Sequence, residues 1–301
     1  MLDSSQLAAF AAVVREGSFE KAAATLHVTR SAVSQRVKLL EERLGQVLVQ
    51  RSSPCRATAA GQALLRHAQQ VALSEADTLR TLGAAPEAGA AHGPHLAVGV
   101  NADSLVTWFI AALAAAQQAL PGTTFDVLVE DQDHSSDLLR EGRVIGTVTA
   151  EPRAVQGCEV HALGTMRYRA VASPGFMAQH FPGGAVDAAH LGRAPMLVFN
   201  RKDGLQHVFL RRITRRALQP PVHWLPSPEG FVRATQAGMG WGMVPDGLLH
   251  GGPAAHGLAE LRPGAPVDVP LFWQCWRLHA PTLQGLTDAI RQAAAQALQA
   301  A

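Results

Sequence analysis

Two hydrophobic periodicities divide the chain. Residues 2–82 carry apolar positions at helical spacing, whereas short apolar runs alternate with helical stretches beyond about residue 95. Leu7, Phe10, Ala11 and Val14 make the stripe of a first helix over 2–15, with Asp3 or Ser4 as N-cap and Gly17 as its stop. Ser18 can cap a short second helix carrying Ala22, Ala23 and Leu26. Val28 then seats a tight turn, and Ser31 opens a third helix that runs to about Leu44. On it Val33, Val37, Leu40 and Leu44 face inward, while Ser34, Gln35 and Lys38 face outward. Gly45 ends the pattern, and residues 47–49 and 56–58 read as two short strands around Ser52-Ser53-Pro54, a wing.

Thr58 can cap a long helix over 59–82 with the stripe Leu64, Ala68, Val71, Leu79 and Leu82, which one helix cannot bury alone. Pairing with a second copy covers it, so a dimer is expected; packing on its own domain is the alternative. Residues 83–94 are Gly/Ala/Pro-rich and mark a hinge. Strands at 96–100, 125–129 and 144–149 then alternate with helices at 105–119 and 135–141. That βαβαβ order implies a parallel sheet. A second α/β unit has strands at 168–172, 196–199 and 222–225 and helices near 176–180, 206–216 and 228–237. A Gly-rich strand at 238–245, a strand at 270–276 and a helix at 282–298 close the chain, the last returning to the first unit. The expected class is α/β: a winged helix-turn-helix at 1–58, a linker helix and hinge at 59–92, and a two-part domain at 93–301. Its parts are about 93–166 with 268–301, and about 167–267.

Charge sharpens the first part. The whole chain carries only +2, which does not mark a nucleic-acid binder. Residues 28–56, however, hold Arg30, Arg36, Lys38, Arg43, Arg51 and Arg56 against Glu41 and Glu42. Such a patch supplies phosphate contacts, while Gln on an exposed helix can read adenine and Lys or Arg can reach guanine. The N-terminus has no basic n-region followed by an apolar segment, and the most apolar run, 105–116, is too short to span a bilayer. Cys55, Cys158 and Cys275 form no C-x-x-C pair, which fits a reduced cytoplasm and buried thiols rather than a redox pair. The 13 histidines lack paired metal-ligand spacing, and no G-x-S-x-G, H-E-x-x-H or phosphate loop occurs. Neither an enzyme, a metal site nor a cofactor is expected.

Residues 23–51, A-x-x-L-x-V-T-R-S-A-V-S-Q-R-V-K-x-L-E-x-x-L-G-x-x-L-x-x-R, followed by T-A-A-G-Q-A-L from Thr58 to Leu64, resemble the LysR-type transcriptional regulators. The A-G-M-G-W-G-M-V-P run at 237–245 resembles that family's second-subdomain motif. Three segments are similar to the ArgP/LysG type, which responds to lysine and arginine: 19–23 (F-E-K-A-A), 100–108 (V-N-A-D-S-L-V-T-W) and 129–131 (V-E-D). Residues 227–232, S-P-E-G-F-V, depart from that type's Ser-Ser-Glu-Ala-Phe, and the loop N-R-K-D at 200–203 is more basic. The resemblance implies an effector domain similar to periplasmic binding proteins, assembly as a homodimer or homotetramer, a double-stranded DNA operator and RNA polymerase as partners. It also implies effector-dependent control of basic amino-acid export or metabolism. The DNA-contact candidates are Thr29, Arg30, Ser31, Ser34, Gln35, Arg36, Lys38, Arg51 and Arg56.

Ligands of open α/β sheets bind beyond the carboxyl ends of strands. Asn101, Asp103 and Ser104 follow the first strand and open a helix, Glu130 ends the next strand, Asp203 follows a third, and Ser227 can cap the 228–237 helix. Backbone N–H groups and the Ser104 hydroxyl can hold an α-carboxylate; Asp103 and Glu130 can meet an ammonium or guanidinium. Five further acids, Asp126, Asp131, Asp133, Asp137 and Glu141, bias this region towards a cationic effector such as lysine or arginine. The plainer reading makes Asp103, Ser104 and Ser227 helix caps and Glu130 a surface carboxylate. A regulator sensing an acidic or aromatic metabolite is the alternative, and a solute-binding protein a remote one. Arg211, Arg212, Arg215 and Arg216 are expected together on one solvated helix face.

Overall fold

The computed structural model describes residues 2–83, 94–130 and 135–300. The expected hinge therefore falls almost wholly outside the described residues, as do Asp131 and Asp133. The N-terminal head begins with helices Ser4–Glu16, Phe19–Thr25 and Arg30–Leu44. Asp3 caps the first, its carboxylate accepting from the Ser5 and Gln6 N–H groups, and Ser18 caps the second. The third starts one residue early. Thr29, not Ser31, is its N-cap and accepts from Ala32 N. Leu7, Ala9, Phe10, Ala12, Val13, Ala22, Ala23, Val33, Val37 and Leu40 close one small core. The first helix thus turns a wider face inward than Leu7, Phe10, Ala11 and Val14, with Ala11 and Val14 only half-buried. Leu44, expected inside, is exposed, because the helix ends there at Gly45 in a left-handed turn (φ 63°) that leaves the core behind.

The wing pairs Val49–Gln50 antiparallel with Arg56–Ala57. Glu41 anchors it: its carboxylate accepts from Leu48 N at 2.8 Å and Val49 N at 3.2 Å. That acid is therefore structural rather than a surface charge opposing the basic patch. Gly61 lies so close to the wing that a Cβ there would sit 2.2 Å from the Leu48 carbonyl oxygen, which explains the glycine in T-A-A-G-Q.

The linker helix, Ala59–Thr81, joins two cores. Leu65 and Ala68 pack in the head, whereas Leu73 packs in the effector domain. Leu64 and Val71 are half-buried, and Leu79 and Leu82 remain exposed. One register of the helix serves the chain's own two domains and the adjacent register is left open. Near its end Asp77 is buried, accepting from Thr282 N at 3.2 Å, from the Thr282 hydroxyl and from Arg80 Nη1 at 2.6 Å. It thereby caps the C-terminal helix Pro281–Ala297, which has no cap of its own.

In the effector domain, strand His95–Val100 pairs parallel with Thr124–Val129 and with Gly146–Thr149, as the βαβαβ pattern expects. Antiparallel to Gly146–Thr149 runs Val267–Trp276, which pairs in turn with the long strand Cys158–Ala172. Both expected subdomain limits, near 166 and 267, fall on this long strand pair. Gly242–Pro245 and Ala259–Glu260 pair with the far end of Cys158–Ala172, and Met196–Val198 with Val222–Trp224 makes a small parallel sheet. The helix expected at 206–216 is shorter, Leu205–Ile213, because Thr214 is extended and its hydroxyl accepts from Arg216 N. Arg215 and Arg216 therefore leave the helix, and the four arginines do not share a face. Among the described residues no helix is long and apolar enough to cross a membrane.

Candidate DNA surface and effector cleft

On the recognition helix, Thr29, Arg30, Ser31, Gln35 and Lys38 are exposed, while Ser34 and Arg36 are half-buried. The helix is held from beneath by Val33, Val37 and Leu40, so its outer side chains stand on a rigid base. Thr29 and Ser31 hydroxyls lie 2.9 Å apart at its N-terminus. Arg30 pairs with Glu20 at 3.2 Å and Lys38 with Glu42 at 3.5 Å. Both pairs are solvated, so DNA phosphate can compete for either base at small cost. Arg51 stacks over the Phe19 ring at 5.3 Å, and Arg56 is exposed on the second wing strand. The recognition helix, by its N-terminus and outer face, and the wing thus present the basic and hydrogen-bonding groups of one head.

A cleft of about 430 Å³ opens where strand His95–Val100 ends. Asn101 and Asp103 form one wall, at the start of a helix that continues to Ala119 through one wide turn, Leu105–Phe109, of i→i+5 spacing. Tyr168, on the long central strand, forms the floor. Lys202, Asp203, Gln206, Arg211 and Arg212 come from the opposite side, with Phe231 and Pro228 behind them. Of the six expected effector residues, only Asn101, Asp103 and Asp203 line this space. Ser104 lies wholly buried one residue further on. Ser227 caps the helix Pro228–Gln236, accepting from Gly230 N, and only the following Pro228 reaches the cleft. Glu130 sits outside it, 3.4 Å from Lys202. Asp126 and Glu141 line a different space, the groove of about 1110 Å³ between head and effector domain, and Asp137 pairs with Arg140. The acidic bias of that segment therefore does not reach the cleft.

The charges inside are mostly committed. Asp268 is gripped by the Arg167 fork at 2.8 and 2.9 Å, which holds its carboxyl below the usual carboxylate range. Asp203 accepts from Phe199 N and Leu205 N, and Arg212 donates to the Pro266 carbonyl. Asp103 differs. Its carboxylate accepts from the Tyr168 hydroxyl at 2.8 Å and faces no basic side chain among the described residues. Burial, reinforced by the Asp203 charge and only partly offset by the tyrosine, pushes it up to about 6. Burial and the same carboxylate push the tyrosine up in turn. Nearby, Asn101 Oδ1 and Gln206 Oε1 are buried without a hydrogen-bond partner, as is Ser104 Oγ. A cationic ligand with its own donors would satisfy this acidic, acceptor-rich wall. Tyr168, Gln206 and Arg211 were not foreseen from sequence. The first carried a signal, being the chain's only tyrosine, but nothing local ties it to Asp103.

Cys158 and Cys275 are buried, and burial raises both, Cys275 to about 12.

Comparison with known proteins agrees with this architecture. Residues 4–62 match the bacterial regulatory helix-turn-helix protein, lysR family, and residues 89–295 match the LysR substrate binding domain. The crystal structure of ArgP from Mycobacterium tuberculosis is 47% identical and superposes with a TM-score of 0.85, with 100% of both chains covered. Full-length LysG from Corynebacterium glutamicum with bound effector Arg is 37% identical, with a TM-score of 0.75 and 99% of each chain covered. The lysine export transcriptional regulatory protein LysG of that organism is 39% identical over 98% of both chains. With both halves matched in order, this chain belongs to the LysR family of transcriptional regulators.

Proposed function

We propose that the chain is a transcriptional regulator whose effector is a basic amino acid, lysine or arginine, bound beside Asp103. The observation that carries this reading is the lone acid: Asp103 is the cleft carboxylate with neither a basic partner nor a backbone cap among the described residues. An ammonium or guanidinium there gains a charged hydrogen bond worth about 1.5–3 kcal/mol. The ligand's α-carboxylate falls to Lys202, Arg211 or the backbone N–H groups that open the helix after Asn101. Related proteins lend support, one solved with bound Arg and another named for lysine export. Regulation of basic amino-acid export or metabolism follows as the biological reading.

In this account residues 1–58 dock in the major groove through Ser34, Gln35 and Lys38, with Arg51 and Arg56 on the backbone. Residues 59–92 pair with a second copy through the open register of the linker helix, and 93–301 hold the effector. Closure of the cleft then alters how paired heads meet an operator and RNA polymerase. A second reading rests on Lys202, Arg211 and Arg212, three bases that suit an acidic metabolite. Thermal denaturation against the twenty amino acids separates the two. Lysine or arginine raises Tm with concentration, by about 2.7 kcal/mol of stability at 100 times Kd, and Asp103→Ala abolishes the rise. A rise with glutamate or aspartate alone favours the second reading, and no rise with any amino acid removes the first.

A further inference from the structure

Glu159, His161 and Cys275 lie outside the effector cleft and outside the DNA surface, and no part of the regulatory account uses them. Residues two apart on a strand share a face, so Glu159 and His161 point the same way from Cys158–Ala172. The register sets Glu159 directly opposite Cys275 on the neighbouring strand. Three donors that are 116 residues apart at the extreme are thus brought to one spot by the central strand pair. Spacing along the chain could not show this, which is why the histidines gave no metal signal there.

We propose that Glu159, His161 and Cys275 form a binding site for a thiophilic divalent cation of the Zn2+ class. Distances support the assignment. Bonds of about 2.0–2.1 Å to nitrogen or oxygen and about 2.3 Å to sulfur, at tetrahedral angles, put ligand atoms about 3.3–3.6 Å apart. His161 Nε2 lies 3.2 Å from Glu159 Oε1, and Cys275 Sγ lies 3.6 Å from the same oxygen. All three ligand atoms fall within 4.8 Å of one another, so the remaining edge closes with a small turn of the imidazole. The donor set of thiolate, imidazole and carboxylate selects Zn2+ or Co2+ over Mg2+ or Ca2+, which prefer all-oxygen shells. Access is one-sided. Cys275 is fully buried against Thr287 of the C-terminal helix, whereas the side chains of Glu159 and His161 are 45% and 26% exposed. The cation therefore enters from solvent, meets two donors already at the surface and keeps a water as fourth ligand. Both strands belong to the central sheet, so the donors sit on rigid backbone.

Cobalt titration of the untagged full-length protein, stripped with a chelator, tests this. We expect one equivalent of Co2+ to bind per chain, with a sulfur-to-cobalt charge-transfer band and the intense visible bands of a tetrahedral site, and Zn2+ to displace it. Cys275→Ser removes the charge-transfer band. His161→Ala, at a partly exposed position that tolerates truncation, weakens binding by more than the roughly 10–100-fold that outer-shell changes cost. Circular dichroism confirms that both variants fold, and binding of effector amino acids is unchanged in His161→Ala. The proposal is overturned by an absence of stoichiometric binding, by binding without a thiolate band, or by His161→Ala binding as tightly as the parent.

Discussion

At the scale of single residues, the chemistry of the cleft turns on Asp103. Its carboxyl is raised from 3.8 to about 6 mainly by burial, so it takes up a proton within an accessible pH range. The sign follows from charge. A cationic effector needs the ionised form, so affinity for arginine is level above about pH 7 and falls as pH drops through about 6. The other titratable groups lining the space are Tyr168, Asp203, Asp268, Lys202, Arg211 and Arg212, with His207 on the same helix as Gln206. Isothermal titration from pH 5 to 8 reads the effect, and Asp103→Asn should leave weak binding with a flattened profile. Because its folded pKa is raised, Asp103 also opposes stability as it ionises. Asp103→Asn should therefore raise Tm at pH 8, without effector, relative to its effect at pH 4. Tyr168→Phe removes the one donor that offsets burial, so it should move the affinity midpoint to higher pH. A profile unchanged in Tyr168→Phe would show that Asp103 does not set it.

Among the elements, the linker helix matters most because three surfaces compete for it. The head takes Leu65 and Ala68, the effector domain takes Leu73, and Asp77 locks the end to Thr282. Removing that buried carboxylate leaves the Thr282 N–H and hydroxyl without their acceptor and uncaps the C-terminal helix. Asp77→Ala should then cost about 1–3 kcal/mol, visible in urea unfolding, whereas a surface change such as Glu75→Ala should cost little. The exposed register predicts a different outcome. Leu79→Glu should leave the fold intact and shift sedimentation towards monomer, because Leu79 is exposed and belongs to neither hydrophobic core of the chain. Unaltered sedimentation would place the dimer contact elsewhere. The same helix shows what local pattern can and cannot tell. Its existence and its Thr58 cap are local facts and were legible. Its apolar stripe was read one residue off at Leu64 because two of its three customers lie far away in sequence. The long strand Cys158–Ala172 was seen only in its last five residues, since the bulge at Leu163-Gly164 interrupts the alternation of Glu159, His161, Thr165 and Arg167 with its apolar side. The arginine helix ran too long on paper because Thr214 and Arg215 do not look like a stop until the Thr214 hydroxyl takes the Arg216 N–H.

At the level of the whole molecule, the head and the parallel βαβαβ start of the effector domain were legible because each rests on short-range periodicity, while the antiparallel pairing of Cys158–Ala172 with Val267–Trp276 was not, and the cleft was half legible. Asn101 and Asp103 follow a strand that any α/β reading would find. Tyr168 comes from the long strand Cys158–Ala172 and Gln206 and Arg211 from the helix Leu205–Ile213, and only the fold brings these two elements to the same cleft as Asp103. Conversely Glu130 and Ser227 satisfied every sequence criterion and yet stand outside the space, one beside Lys202 and the other spent on a helix cap. DNA binding should follow the electrostatics of the head. Affinity for an operator should fall steeply with salt, with Arg51→Ala or Arg56→Ala lowering the slope of log K against log salt by about 1. Gln35→Ala should instead relax base preference without changing that slope.

The central claim is that one site, at Asp103, joins a basic amino acid to control of DNA binding. The direct measurement is a footprint of the operator with and without arginine or lysine, on the parent protein and on Asp103→Asn. Either amino acid should change the protected pattern of the parent, and the variant should protect the same site but no longer respond. A variant that responds as the parent does, or a parent footprint indifferent to both amino acids, contradicts the claim.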